Sequence, residues 1–289
     1  MSDQKEIDPV TGQQTTGHEW DGIKELDNPL PRWWVWTFYI TIVWAVGYWV
    51  AMPSWPLVSG YTRGVLGYSQ RDVVREAVAA GKSAQEGSLK RIRESDLAAI
   101  RDDSDLLEFA LAGGRSAFLV NCSQCHGTGG AGAPGFPNLN DDDWLWGGTV
   151  TDIHETIRVG IRSDHDEARS NEMPAFLRDE ILTLEQVDDV VAYVGRFAGE
   201  SVDAAAAARG DDVFVEQCVA CHGEGGIGDH ELGAPNLTDA IWLNGSSLDD
   251  IRRVVTNGRN AVMPAWEDRL DPETLKQLAV YVHALGGGE

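Results

Sequence analysis

Two five-residue runs, Cys122-Ser123-Gln124-Cys125-His126 and Cys218-Val219-Ala220-Cys221-His222, hold all four cysteines of the chain. Two thiols three positions apart at the end of a helix can reach two vinyl groups along one porphyrin edge and bond to them as thioethers. The adjacent histidine then turns under the iron, and Cys-x-x-Cys-His is the attachment pattern of a c-type haem. With 7 histidines among 289 residues, chance alone sets one behind both pairs about six times in ten thousand. Competing chemistries fit less well. A zinc site draws on four ligands, and the pairs stand 96 residues apart, so each offers too few. A thioredoxin-like pair needs a βαβ setting, and no strand-length alternating run stands out near either pair. A disulfide within each pair leaves the histidines without a role. The residues point to two covalently attached haems.

An iron held by one histidine needs a ligand on its other face, where a neutral thioether sulfur favours the reduced metal and raises its potential. Of the four methionines, Met1 opens the chain and Met52 lies in an apolar run. The other two, Met173 and Met263, each head a Met-Pro-Ala-aromatic unit. Proline after the ligand fixes the loop and removes a donor near the iron. Whether each methionine serves the iron of its own copy or of its neighbour stays open. With methionine on both irons no position is left for oxygen chemistry on this chain. His154, His165 and His230 are alternative axial ligands, with surface histidine as the competing reading; His18 and His283 have no partner pattern.

The elements that must position these residues form an internal repeat. Gly114, Phe118, Cys122, Cys125, His126 and Gly127 recur 96 residues later as Gly210, Phe214, Cys218, Cys221, His222 and Gly223. Pro137-Asn138-Leu139, Trp144, Asp152-Ile153 and Gly160 recur 98 later as Pro235-Asn236-Leu237, Trp242, Asp250-Ile251 and Gly258. Met173 to Phe176 then answers to Met263 to Trp266 at an offset of 90, so the first copy holds eight extra residues around Ser163 to Ser170; Tyr193 answers to Tyr281. Each copy predicts a helix ending at its Cys-x-x-Cys-His, a Gly/Pro-rich loop, a helix from near Thr151 or Ser247, and a methionine loop. A last helix follows over Leu184–Phe197 or Pro272–Leu285. Ala198–Val202 is the linker, and Ala204–Ala208 favours a helix into the second copy. Gly114/Phe118 and Gly210/Phe214 lie on one helix face, where a glycine admits the terminal helix bearing Tyr193 or Tyr281. Trp144 and Trp242 either edge a haem and bond a propionate or are plain core tryptophans.

Upstream, Trp33 to Met52 gives 20 mostly apolar positions, and no charge occurs from Trp33 to Thr62. That is about 30 Å of helix, enough to cross a bilayer once, and Trp33, Trp34, Trp36, Trp49 and Trp55 suit its two interfaces. The first 31 residues are acidic and lack the basic start of a signal peptide. Lysine and arginine tie on the two sides of the span, so orientation rests on haem chemistry. Covalent attachment occurs outside the bacterial cytoplasmic membrane, which places the N-terminus in the cytoplasm and residues beyond about 60 in the periplasm. Residues 69–80 and 90–100 have helical spacing and read as short surface helices or a stalk. A formal charge of −23 excludes a nucleic-acid footprint and suits docking of a basic partner protein.

From about residue 110 to 289, each repeat resembles a class I cytochrome c. That resemblance implies that the carbonyls of Pro137 and Pro235 accept from the histidine rings and orient them. The run from Asp21 through Asn28-Pro29-Leu30-Pro31-Arg32-Trp33-Trp34, on through Trp36, Phe38 and Tyr39 to Trp55-Pro56, is similar to the N-terminal segment of the dihaem subunit of cbb3-type cytochrome c oxidases, known as FixP or CcoP. The implied fold is mainly α: one transmembrane helix, then two tandem cytochrome c domains. The expected divisions are residues 1–32 (cytoplasmic tail), 33–56 (span), 57–109 (periplasmic connection), 110–198 and 203–289 (cytochrome domains). The implied sites are Cys122, Cys125, Cys218 and Cys221 for covalent haem, and His126, Met173, His222 and Met263 on iron. The implied partners are the haem-copper catalytic subunit, a monohaem cytochrome c subunit, a small accessory subunit and a donor cytochrome c. The implied role is electron transfer toward an oxygen-reducing site elsewhere, in a bacterial inner membrane.

Overall fold

The computed structural model describes residues 6–288, which divide into two units, one ending at Lys82 and the other beginning at Ser83. The first unit begins with an antiparallel hairpin, β1 (Thr15–Trp20) and β2 (Ile23–Leu26), in which Trp20 faces Ile23. The acidic tail of the sequence reading therefore holds regular structure. Its turn is Asp21-Gly22, with φ of 51° and 85°. Two positive φ angles define the hairpin turn whose twist matches the strands, and Asp-Gly is its sequence signature.

Pro31 precedes α1 (Arg32–Ala51), none of whose residues is buried within the chain. By its length and composition this helix is long and apolar enough to cross a bilayer. It stops before Pro53 and Pro56, where donors and helical φ/ψ run out. The chain then makes a tight hairpin, β3 (Pro56–Leu57) with β4 (Gly60–Tyr61). Val65 and Leu66 return to donate to the Val50 and Ala51 carbonyls, which the helix end leaves open.

Of the two readings for residues 69–80 and 90–100, short surface helices or a stalk, the structure has one long helix, α2 (Gln70–Glu94), followed by α3 (Leu97–Asp102). Residues 81–89 hold no proline, and their alanine, glutamine, glutamate and lysine carry the helix across Gly81 and Gly87. The end of α2 is fixed within the second unit. Ile92 is fully buried, Arg93 pairs with Glu273 at 2.8 Å, and the Lys276 ammonium donates to the carbonyls of Ile92, Arg93 and Ser95.

The repeat supplies α4 (Ser104–Asn121), α5 (Ser123–His126), α6 (Val150–Val159) and α7 (Leu184–Gly195), then α8 (Ala204–Gln217), α9 (Val219–His222), α10 (Leu248–Asn257) and α11 (Pro272–His283). Side-chain caps start most of the longer ones: Asp103, Thr149, Thr183, Asp203 and Ser247 each accept a backbone N–H of the following turn. These helices do not pair by copy. The terminal helix of the first copy, α7, packs on α8 and α10 of the second, while α11 of the second packs on α4 and α6 of the first. Two hydrophobic cores result: one joins Phe118, Ile153 and Ile157 to Leu278 and Val282, the other joins Phe214, Ile251 and Val255 to Val187 and Val190. Each packed lobe thus draws helices from both sequence copies. The cause is connectivity, because a short link joins α7 to α8 and neighbours in sequence pair first.

Candidate haem sites

In each lobe a helix delivers the cysteine pair. Helix α4 ends at Asn121 and α8 at Gln217, Cys122 and Cys218 cap them, and the one-turn α5 and α9 carry Cys125/His126 and Cys221/His222. His126 Nδ1 donates to the Pro137 carbonyl at 3.1 Å, and His222 Nδ1 donates to the Pro235 carbonyl at 3.1 Å. A carbonyl only accepts, so Nδ1 carries the proton and Nε2 keeps its lone pair for a metal. Burial holds both imidazoles below the ordinary histidine range, which keeps them neutral as ligands must be. Burial, with the partner cysteine second, pushes the Cys122 thiol up to about 11 and Cys218 up to about 12. They are thiols rather than thiolates at neutral pH.

Each methionine lies in the lobe of the other copy. A cavity of about 900 Å³ is lined by Cys218, Cys221, His222, Pro235 and Trp242 together with Met173. Met263 packs instead into the first core, with Cys122, Leu139 and Trp144. Reciprocal backbone bonds hold the crossings. Met173 and Arg259 exchange N–H to carbonyl bonds of 3.0 and 2.9 Å, as do Met263 and Ile161 at 3.0 and 2.9 Å. Phe176 N–H donates to the Val255 carbonyl, and Trp266 N–H to that of Ile157, one bond in each lobe. The eight extra residues leave this register intact because they form a loop closed at its base, with Arg169 N–H donating to the Gly160 carbonyl and Arg162 N–H to that of Arg169. Arg158 binds Glu155, Glu167 and Glu267, tying that loop to the segment after Met263.

The donor set fits an iron porphyrin. In the second lobe two thiols, a neutral imidazole nitrogen and Met173 line one apolar-walled cavity, whose volume lies within the roughly 300–1,000 Å³ of small-molecule sites, and the first lobe brings Cys122 and Met263 to one core. His154, His165 and His230 do not line that cavity, and His165 Nε2 contacts Glu267 at 3.0 Å. The indole N–H of Trp144 donates to the Gly287 carbonyl and that of Trp242 to the Asp239 carbonyl at 3.2 Å. Asp143, which sequence reasoning passed over, lines the cavity; burial, then the charge of Asp239, pushes it up to about 6. Its only signal is the acidic run Asp141-Asp142-Asp143.

Three family profiles divide the chain. One described as the N-terminal domain of cytochrome oxidase-cbb3, FixP, matches residues 12–59. One described as cytochrome c matches residues 111–196, and one described as cytochrome c oxidase, cbb3-type, subunit III, matches residues 205–282. Among whole proteins, the chain is 51% identical to the cbb3-type cytochrome c oxidase subunit FixP of Bradyrhizobium diazoefficiens, with both chains covered in full. It is 52% identical to the FixP subunit of Azorhizobium caulinodans over 98% of this chain and 96% of that one. To the CcoP subunit of Cereibacter sphaeroides it is 50% identical over 95% of each chain. With its apolar helix α1 and its paired Cys-x-x-Cys-His lobes, the chain belongs to the FixP/CcoP family of cytochrome c subunits of the cbb3-type oxidase.

Proposed function

We propose that this chain carries two haems c: one on Cys122 and Cys125 with His126 and Met263 on the iron, the other on Cys218 and Cys221 with His222 and Met173. The observation that carries this reading is the reciprocal crossing, which sets a thioether beside each histidine-bearing lobe through matched backbone pairs. Each haem c, when bound, supplies a reversible one-electron couple, and the chain thereby relays electrons from a donor cytochrome c toward the oxygen-reducing haem-copper subunit. The protein's part is to fix the imidazoles through the Pro137 and Pro235 carbonyls, to hold both sulfurs in place and to keep water from the metals. Helix α1 anchors the chain by a single pass, with the hairpin end in the cytoplasm and the lobes in the periplasm. The acidic composition suits a basic donor protein, and the chain assembles with the haem-copper subunit, a monohaem cytochrome c subunit and a small accessory subunit. Purification in mild detergent followed by pyridine haemochrome analysis tests the reading. Two haems c per chain, copurifying with b-type haem and copper, are expected; one haem c or none, or elution without oxidase haems, contradicts it.

A further inference from the structure

Two buried guanidinium nitrogens lack a partner. Among the described residues, Nε of Arg169 and Nε of Arg259 are the buried side-chain polar atoms without a hydrogen bond. Each stands four residues before a Met-Pro-Ala unit, at Met173 and Met263, so the two arginines are counterparts in the repeat. A buried charged donor left unpaired is costly, and the same vacancy of contact at equivalent places in both copies calls for the same kind of partner twice.

The surroundings say which partner. Arg259 lines the cavity of Cys218, Cys221 and His222. Arg169 N–H is bonded to the Gly160 carbonyl at the end of α6, and its guanidinium lies 5.1 Å from the Trp146 ring centroid with Nη2 3.4 Å from the Asp152 carbonyl. Other arginines along the cavity are engaged: Arg162 with the carbonyls of Ala261 and Asn171, Arg253 with Asp250 at 2.7 Å. The indoles of Trp144 and Trp242 are engaged with backbone as well. What a haem brings into such a lobe, besides apolar surface, is two carboxylates. A guanidinium is always charged and forks onto a carboxylate with two parallel bonds.

We propose that Arg259 binds a propionate of the haem held by Cys218, Cys221 and His222, and that Arg169 binds a propionate of the haem held by Cys122, Cys125 and His126. This rests on the dihaem reading above. Each arginine then serves the lobe of the helix it follows, while the methionine four residues later crosses to the other lobe. In the second copy Arg259 both pairs its backbone with Met173 and presents the guanidinium. In the first copy Ile161 and Arg169 divide these tasks, with the extra loop between them. A guanidinium beside a propionate offsets negative charge near the iron and so favours the reduced state.

The test is optical redox titration of the full-length, haem-loaded chain in two backgrounds, Cys122→Ala/Cys125→Ala, which retains the second haem, and Cys218→Ala/Cys221→Ala, which retains the first. Arg259→Gln should shift the midpoint to more negative potential in the first background and leave it in place in the second, with Arg169→Gln doing the reverse. Lysine at either position should recover at least half of the shift. If a glutamine variant fails to retain haem, retention by its lysine variant supports the pairing and loss with lysine too overturns it. Unchanged midpoints in both backgrounds, or lysine and glutamine variants that behave alike, also overturn it. Failure of the dihaem reading would look different, because the unmutated chain would then carry fewer than two haems c by pyridine haemochrome analysis.

Discussion

At His126 and His222 a proline carbonyl decides the tautomer, as the resemblance of each repeat to a class I cytochrome c implied. Asp143 was not legible, because its state depends first on burial and then on the charge of Asp239, which comes from the other copy. Its ordinary value is 3.8, and the fold raises it to about 6. The folded chain therefore holds this proton more tightly than the unfolded chain. As pH rises from about 4 to about 6 the unfolded state releases the proton first, so stability falls through that window and the loss is complete above it. Asp143→Asn should flatten the thermal-melting profile over that range and raise the melting temperature at pH 7; an unchanged slope would show that Asp143 does not titrate there.

Among elements, helix boundaries around both cysteine pairs follow the sequence expectation closely because capping residues and the repeat fix them. Helix α2 and the β1–β2 hairpin do not. The first has no proline between its two periodic stretches and runs on through Gly81 and Gly87, and the second is announced only by Asp21-Gly22. The glycine faces were legible as contact points, yet their partners were not. A Cβ on Gly114 would lie 2.6 Å from that of Tyr281, and one on Gly210 would lie 2.9 Å from that of Tyr193, each of them nearer still to a backbone carbonyl. Glycine to alanine inside a helix is ordinarily stabilising by about 1 kcal/mol. Here Gly114→Ala and Gly210→Ala should each destabilise by about 1–3 kcal/mol through overpacking, seen as earlier loss of near-ultraviolet circular dichroism on urea titration; a gain in stability would mean that the helices do not approach this closely. Helices α7 and α8 are also joined by Arg209, which forks onto the buried carboxylate of Asp189 at 2.6 and 2.8 Å. Arg209→Ala strands that acceptor and should cost about 1–3 kcal/mol in the same titration, whereas a neutral outcome would place Asp189 in contact with water.

For the whole molecule, the sequence could show two copies but not how they share their parts. Both terminal helices present the same tyrosine-bearing face, so periodicity alone allows either pairing. Connection length and the reciprocal bonds of Met173 with Arg259 and Met263 with Ile161 decide it. A chain ending at Ala198 therefore lacks the helix that covers α4 and the methionine that packs against the first core, and leaves the apolar face of α7 bare. It should aggregate or bind haem without a methionine ligand, as judged by sedimentation and optical spectra. The exchange itself is tested most directly by the methionine-to-ferric-iron charge-transfer band in the Cys218→Ala/Cys221→Ala chain, which retains only the first haem. Met263→Ala should abolish that band and Met173→Ala should leave it; the opposite result would contradict the crossed lobes.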